Sequence, residues 1–406
     1  MRVAVNVEQL LHASPGGIGR YTEKLVGTLG AMYPEDQIVP FSARHRRADL
    51  DRTPLGVKGV DIVPLALPRP VLYDSWRLLG WPAVQLGRRA LGHLDVVHAP
   101  SLAVPPAGPA ALVVTVHDAA PALFPESFSR RGLRFHAHGM AAARQAELVI
   151  AVSEAAADEI VAHGQIDRGR VRVVPHGVEP LAVTAERRRD VLGRCGLAGQ
   201  PYVLWVGSLE PRKGVGTLVS AMARMTGSAG GPRSQRPRLV LAGYRGWLSD
   251  GIIDAGDRAA LGEHLVQLGP VGEEDLWALY AGAAVFALPS RHEGFGLPAL
   301  EAMSQGVAVV CSDIPALRQL VGQSACLVAP GDVGAWADAL GGLLGDPAAR
   351  ARLGVAGQVR SKLFTWEATA SATRQIYEEA RVMARARLPA GIARARPPAG
   401  PRRLPS

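Results

Sequence analysis

Short apolar runs rich in β-branched residues alternate with helical stretches along almost the whole chain, and this alternation constrains its fold more than any other feature. In the first half the runs are VAVNV, DQIVPF, VDIVPL, LDVVHA, ALVVTVHD, ELVIAVS and VRVVP. In the second half they are PYVLWVG, PRLVLAG, HLVQLG, AVFALP, VAVVCS and ACLVAP, with TGSAGGPRSQRP (residues 226–237) as a flexible surface loop between them. Such alternation predicts parallel sheets covered by helices on both faces, with ligands at the carboxyl ends of the strands.

The length of the chain and its linkers predict how it divides. A chain of 406 residues is too long for one typical core and fits two domains of roughly 150 to 200 residues each. We therefore expect an α/β protein of two doubly wound, Rossmann-like domains facing a cleft. The first covers residues 1–178, a polar linker with a short helix covers 179–200, and the second domain covers 201–364. A helix over 365–385 and a Pro-rich, Arg-rich tail over 386–406, which we expect to be disordered, complete the chain.

The formal net charge of +9 comes mostly from the C-terminal end. Residues 381–406 contain seven Arg and no acidic residue, so the rest of the chain carries a formal charge of only +2. A body this close to neutral does not favour nucleic-acid binding. The tail is either inert or attracted to anionic surfaces such as lipid headgroups.

Several features favour a cytoplasmic protein. Cys195, Cys311 and Cys326 lack metal or redox spacing, which suggests buried thiols in a reducing compartment. The N-terminus carries Glu8 where a signal peptide needs its apolar run. Residues 96–116 contain no charged side chain, but prolines interrupt them, so we expect buried strands there and no transmembrane helix.

The stretch SRHEGFGLPALE (residues 290–301) places two carboxylates, Glu293 and Glu301, on either side of a Gly-rich turn. AAVFALP before it predicts a buried strand, and LPALEAMSQG after it predicts a helix. Gly294 and Gly296 allow close approach of the backbone to a ligand, and free N–H groups at a helix start bind anions. Glu301, about one turn inside the helix, could accept hydrogen bonds from a ribose diol. Either Glu alone is more often a solvated side chain, but the combination favours a diphosphate site.

A second strand-to-helix turn reads VGSLEPRKG, residues 206–214. Arg212 and Lys213 lie where a diphosphate would meet the helix start. An Arg binds phosphate in a two-pronged geometry, and a Lys acts as a point charge. Such a pair is usually solvated, but its place at the end of a buried strand favours phosphate binding.

Two features of the first half also follow strands. The loop SPGGIG precedes a helix, but Gly17-x-Gly19-x-x-Thr22 lacks the third small residue of a dinucleotide fingerprint, so it supports NAD binding only weakly. His117 and Asp118 follow the strand LVVTV, at an edge where ligands bind in open α/β sheets. A lone His is more often a packed residue, and Asp118 is placed to orient it.

The chain resembles the retaining family 4 glycosyltransferases, which adopt the two-domain GT-B fold. The resemblance lies in a motif of two glutamates, Glu293 and Glu301, separated by seven residues that include Phe295-Gly296. The resemblance covers residues 1–383 and implies that the C-terminal helix crosses back onto the first domain, which would be the acceptor side. It implies catalytic roles for His117, Arg212, Lys213 and Glu293, donor binding by Gly16, Gly17, Gly294, Phe295, Gly296, Leu297 and Glu301, and support from Asp118.

The resemblance also implies transfer of a sugar from a nucleotide donor with retention of configuration, with cations and not a metal stabilising the leaving diphosphate, and with no other cofactor. SLEPRKG, RHEGFGLP and VHDAAPALFP resemble bacterial mannosyltransferases, which favours GDP-mannose first and a UDP-sugar second. The acceptor hydroxyl could belong to a glycan, a lipid-linked sugar or a small molecule. Two alternatives stay open: a sugar-nucleotide epimerase of the same architecture and a non-catalytic nucleotide-sugar-binding scaffold.

Two stretches that combine Arg with apolar residues are compatible with weak peripheral contact of the protein with the inner face of a membrane. They are YDSWRLLGWPAVQLGRRAL, which includes Arg88 and Arg89, and RRGLRFHAHGMAAARQA. Helices packed on the sheet remain the favoured interpretation of both.

Overall fold

The computed structural model describes residues 1–13, 15–51, 61–84, 93–228, 236–246 and 251–387. The central part of the expected surface loop, residues 229–235, and most of the basic tail, residues 388–406, lie outside these ranges, as do Arg88 and Arg89. Flexibility of the loop and disorder of the tail therefore stay predictions.

Seven parallel strands form the sheet of the first half, in the order β3-β2-β1-β4-β5-β6-β7. The strands are β1 (Arg2–Asn6), β2 (Gln37–Ser42), β3 (Val63–Pro64), β4 (Val96–Ala99), β5 (Ala111–Val116), β6 (Leu148–Ala151) and β7 (Val171–Val173). The helices are α1 (Gly16–Met32), α2 (Arg47–Asp51), α3 (Arg69–Leu79), α4 (Ala120–Leu123), α5 (Arg130–Ala143) and α6 (Glu154–Gly164). The strand order reverses between β1 and β4, so the crevice for a ligand opens at their carboxyl ends.

Six parallel strands form the second sheet, in the order β10-β9-β8-β11-β12-β13. They are β8 (Tyr202–Val206), β9 (Arg238–Ala242), β10 (Leu265–Gly269), β11 (Val285–Leu288), β12 (Ala308–Ser312) and β13 (Cys326–Val328). The helices are α7 (Ala185–Arg194), α8 (Val215–Ser228), α9 (Ala255–Leu261), α10 (Glu273–Gly282), α11 (Leu297–Ser304), α12 (Pro315–Val321), α13 (Val333–Gly345) and α14 (Pro347–Ser361). This order reverses between β8 and β11, the two strands that carry the Arg-Lys turn and the Gly-rich turn.

Helices cover both faces of both sheets, which explains why the central strands are mostly apolar and do not alternate with polar residues. All six residues of β5 are buried, and so are all five of β12. The edge strand β3 is much shorter than the run VDIVPL predicts, and it contains Pro64, a residue that sheets tolerate mainly at their edges because it has no N–H to donate. The uncharged stretch over residues 96–116 forms β4, a loop and β5. Within the described ranges, no helix combines the length and the apolar character needed to cross a bilayer.

The last helix, α15 (Trp366–Arg387), leaves the second domain and packs on α1 and β5 of the first. Trp366 and Tyr377 are buried in the core of the first domain. The chain passes so close to Gly177 that a Cβ there would lie 2.3 Å from the Trp366 nitrogen. The expected two-domain α/β architecture, with a C-terminal helix that crosses back, is therefore confirmed.

Candidate active site

A cleft of about 1230 Å³ lies between the two domains at the carboxyl ends of their strands. Gly16, Gly17, His117 and Asp118 line it from the first domain, and Arg212 lines it from the second. The remaining residues expected at the site are outside this lining, and among them Lys213, Glu293 and Glu301 form a mostly buried polar layer. The sequence motifs of both domains therefore meet, but only some of them face the open volume.

The turn after β8 holds Arg212 near three carboxylates, those of Glu210, Asp118 and Glu293. Its Nε donates to Glu210 Oε2 at 3.1 Å, and its Nη1 donates to the His292 carbonyl at 3.4 Å. Burial would lower the pKa of Arg212, but Asp118 and then Glu293 outweigh burial and raise it. The guanidinium is therefore a fixed positive charge in the wall of the cleft.

Lys213 and Glu293 form the central ion pair of this layer. Lys213 Nζ lies 2.7 and 2.9 Å from the two carboxylate oxygens, and Ser290 Oγ donates to Oε1 at 2.7 Å. Burial would raise the pKa of Glu293, but the charges of Lys213 and Arg212 hold it below its ordinary value. The carboxylate is therefore ionised, and it links the Arg-Lys turn directly to the Gly-rich turn.

The buried carboxylate of Glu301 is held from both domains. Tyr280 OH donates to Oε2 at 2.8 Å, and the guanidinium of Arg20, on α1 of the first domain, donates to Oε1. Sequence reasoning missed Arg20. A signal existed, since Arg20 lies one turn after Gly16 and so shares its helix face. A carboxylate has about four acceptor positions, so two remain for further donors such as ribose hydroxyls.

The Gly-rich turn requires glycine at two positions for different reasons. A Cβ on Gly294 would lie 1.9 Å from the His117 carbonyl oxygen, so the turn touches the first domain there. Gly296 has φ 101°, a left-handed conformation, and precedes the first residue of α11, Leu297. Phe295 is buried with its ring 5.0 Å from that of His176, an edge-on contact that anchors the turn.

His117 is oriented by the backbone and not by Asp118 as expected. Its Nε2–H donates to the Pro100 carbonyl at 2.8 Å, which leaves Nδ1 as the acceptor of the neutral ring. Burial lowers the pKa of His117, so the neutral form dominates near neutral pH. Asp118 instead accepts from the Ala120 N–H at 3.0 Å, and the nearby Arg212 overcomes burial to keep the pKa of Asp118 low.

Other contacts join the two domains around the cleft. Ser153 Oγ donates to the Gly294 carbonyl at 2.6 Å, and His292 Nε2–H donates to Glu159 at 2.8 Å. With the contact of Arg20 to Glu301, they hold the domains together on the side of the Gly-rich turn.

No group of three or more His, Cys, Asp or Glu in the described ranges is arranged to hold a metal ion. The carboxylates at the centre of the site have cationic neighbours instead. Glu210 pairs with Arg212, and Glu293 pairs with Lys213.

Two doubly wound parallel-sheet domains that face each other across a cleft, with Gly-rich turns at the carboxyl ends of their strands, define a GT-B architecture. Solved structures agree with this fold. Sucrose-phosphate synthase from Thermosynechococcus elongatus superposes with a TM-score of 0.71 at 24% identity, over 94% of this chain and 100% of that one. The Anabaena protein HepE in complex with UDP-glucose superposes with a TM-score of 0.68 at 19% identity, over 93% and 99% of the two chains.

Sequence comparison identifies the family. Residues 15–180 match the model of Glycosyltransferase Family 4, and residues 200–346 match that of Glycosyl transferases group 1. The O-antigen chain mannosyltransferase B of Escherichia coli is 30% identical over 379 residues, which cover 89% of this chain and 96% of that protein. The chain therefore belongs to the family 4 glycosyltransferases, as its motifs indicated. The epimerase and scaffold alternatives are not favoured by these relatives.

Proposed function

We propose that this protein is a cytoplasmic, retaining hexosyltransferase of polysaccharide biosynthesis that needs no metal at the chemical step. Its donor is a nucleotide sugar, GDP-mannose first and a UDP-sugar second. The observation that carries the proposal is the cluster of Arg212, Lys213 and Glu293, which places two cations and one ionised carboxylate where the Arg-Lys turn and the Gly-rich turn meet.

The proposed reaction exchanges one glycosidic bond for another on the same face of the sugar. The bond between the anomeric carbon and the diphosphate oxygen breaks, and the acceptor oxygen bonds to that carbon. The acceptor proton passes to the departing phosphate oxygen. Negative charge grows on the diphosphate as the bond breaks, so preorganised cations stabilise the transition state more than the bound donor.

The remaining residues have distinct roles in this proposal. Glu293 and the backbone from Gly294 to Leu297 bind the transferred sugar, and His117 contacts it from the first domain. Glu301 binds the ribose. Gly16 and Gly17, at the start of α1, bring backbone N–H groups to the diphosphate from the opposite wall.

The choice of donor rests on the relatives and on the motifs. The relative that shares 30% identity over most of both chains is named a mannosyltransferase, which favours GDP-mannose. A UDP-sugar comes second, since a structural neighbour binds UDP-glucose.

A ligand panel followed by a turnover assay tests the proposal. GDP, UDP and ADP are added separately during thermal unfolding, and a ligand at 100 times its Kd should stabilise the protein by ~2.7 kcal/mol. The best nucleotide then identifies the donor to assay, and NMR of the product's anomeric proton reports retention or inversion. The turnover assay is repeated with Arg212→Ala, and the control variant is Arg187→Ala, which changes an exposed arginine on α7. No stabilisation by any nucleotide, or an inverted product, would refute the proposal.

A further inference from the structure

One face of α5 presents two arginines to the cleft. Four side chains of this helix line the cleft: those of Arg131, Arg134, Phe135 and His138. The last three follow Arg131 by three, four and seven residues, so all four lie on one side of the helix. Ser129 caps the helix by accepting from the Gly132 N–H at 3.1 Å. Like charges one turn apart repel each other, so an anion bound between Arg131 and Arg134 would remove an unfavourable interaction.

The described part of the chain places no carboxylate within ion-pair distance of these two arginines. Within the described ranges, neither Arg131 nor Arg134 forms an ion pair with an acidic side chain. The acids that line the same cleft have other partners. Glu8 accepts from His45 at 2.8 Å, Asp74 pairs with Arg77 at 3.2 Å and Glu210 pairs with Arg212 at 3.1 Å. Asp118 accepts from the Ala120 N–H and lies near the charge of Arg212.

Aromatic rings stand beside the arginine pair. Tyr73, on α3, stacks on Phe135 with ring centroids 6.1 Å apart and planes inclined by 25°, and on Trp76 at 5.5 Å and 24°. All three rings line the cleft, and Phe135 is 39% exposed. Flat ring faces in a cleft wall suit the apolar face of a pyranose, and the neighbouring charges suit an anionic substituent on it.

The arginine pair and the cations proposed for the donor diphosphate come from different walls of the cleft. The donor cations Arg212 and Lys213 belong to the second domain, whereas Arg131 and Arg134 belong to the first. Arg131, Arg134 and Arg212 all line one cleft, with His117 in its lining as well. The arginine pair is therefore on the side from which an acceptor would approach.

We propose that the acceptor is a phosphorylated saccharide, with its phosphate held by Arg131 and Arg134 and its sugar ring packed against Phe135 and Tyr73. This inference rests on the proposed function, because it names the acceptor class of that enzyme. The same chemistry occurs in a soluble sugar phosphate and in a lipid-linked sugar diphosphate.

Calorimetric titration at a saturated donor site tests the acceptor class. Wild-type protein is first saturated with GDP or UDP, whichever binds, so that phosphate cannot bind at the donor site. It is then titrated with the 1-phosphates of mannose, glucose, galactose and N-acetylglucosamine, and with their methyl glycosides. At least one 1-phosphate should bind tenfold or more tightly than its methyl glycoside. Arg131→Gln/Arg134→Gln should lose at least tenfold of that affinity.

Arg130→Gln is the matched control, because Arg130 is an exposed arginine of the same helix outside the cleft lining. It should bind the sugar phosphate as the wild type does. Equal affinity for 1-phosphates and methyl glycosides, no binding of either, or equal affinity of the double variant and the control would overturn the inference. Failure of the proposed function would appear separately, because the wild-type protein would then bind neither GDP nor UDP.

A second arm distinguishes the two sources of the phosphate. A farnesyl-diphosphate-linked N-acetylglucosamine in neutral detergent is compared with N-acetylglucosamine 1-phosphate. Tighter binding of the farnesyl compound, lost in the double variant, supports a lipid-linked acceptor. Tighter binding of the soluble phosphate, lost in the same variant, supports a soluble one. Farnesyl-compound binding that the double variant retains in full would contradict the assigned site.

Discussion

At the scale of single residues, the site depends on charges that neutralise one another across two turns. Lys213 and Glu293 can be recognised as candidate site residues from the sequence, because each belongs to a short, local strand-to-helix motif. Their pairing at 2.7 Å is not local, since it joins residues 80 positions apart. Glu301 is similar: its motif is visible in the sequence, but its partner Arg20 comes from the other domain.

Removing the charge of Lys213 should destabilise the fold through Glu293. Lys213→Met leaves a carboxylate that is 8% exposed without its ammonium partner, and breaking such a buried pair costs ~3–5 kcal/mol. Lys213→Met/Glu293→Gln removes both charges and should recover part of this loss. Denaturant midpoints of the single variants and the double variant measure the coupling. Purely additive effects would mean that the pair contributes nothing as a pair.

At the scale of secondary-structure elements, the strands and helices follow from periodicity, and their tertiary attachments do not. The runs in the sequence correspond to β1 to β13, although β3 is shorter than its run. The attachment of α15 depends on a buried network that no short pattern reveals. His98 Nδ1 lies 2.7 Å from Tyr377 OH, and its Nε2 lies 2.9 Å from Thr115 Oγ1, so one imidazole joins β4 to α15 and β5.

This network should make stability sensitive to acid. Burial lowers the pKa of His98 to about 3, so the ring stays neutral in the folded protein when the unfolded chain takes up a proton below pH ~6.5. Stability is therefore lost as pH falls from 6.5, by ~1.4 kcal/mol per pH unit for one such proton. His98→Gln should be less stable at pH 7 and should lose less stability between pH 6.5 and 5.

Denaturant titrations at several pH values measure this difference in slope. The control is His163→Gln, which changes an exposed histidine on α6. If the stability of His98→Gln falls with pH as steeply as that of the wild type, protonation of His98 does not contribute to the acid sensitivity. His117 and His176, whose pKa values burial also lowers, remain in both variants and add to the common slope.

The basic tail should be dispensable for catalysis. The described part of α15 ends with Arg387, which pairs with Glu147 of the first domain at 2.8 Å, so a truncation should retain that residue. Deleting residues 388–406 should leave turnover and melting temperature nearly unchanged, because a Pro-rich, Arg-rich segment buries too little apolar surface to offset its ordering. A marked loss of activity in a detergent-free assay would show that the tail acts in the reaction.

At the scale of the whole molecule, the proposed donor site is assembled from both domains. The packing of the two domains places Arg20 against Glu301. Local sequence patterns do not predict this contact, because it depends on how two separate sheets face each other. The cleft itself was predictable, since its lining comes from the carboxyl ends of strands that the sequence reveals. The lining contributed by α3 and α5 was not, because their amphipathic patterns also suit helices that only pack on the sheet.

Arg20 should support nucleotide binding across the domain boundary. Arg20→Ala removes a charged hydrogen bond that orients Glu301, and such a bond contributes ~1.5–3 kcal/mol, so the Kd of GDP or UDP should rise roughly tenfold or more. Glu273→Ala removes only the half-exposed second partner of Arg20, at 3.5 Å, and should have little effect. Calorimetric titration of both variants makes the comparison, and equal Kd values for the two would refute the cross-domain role.

The central claim is that Arg212 and Lys213 stabilise the leaving diphosphate without a metal. The most direct test measures kcat for GDP release from GDP-mannose in excess EDTA, or for UDP release if the ligand panel selects a UDP-sugar. The donor concentration is varied at saturating acceptor, and each variant is first shown to be folded. Wild-type activity should not change with EDTA. Arg212→Ala and Lys213→Ala should each lower kcat by roughly 10²- to 10³-fold, as expected for a lost transition-state donor, while Glu301→Ala should mainly raise KM. Wild-type kcat in Arg212→Ala and Lys213→Ala with only KM changed, or wild-type activity abolished by EDTA, would contradict the account.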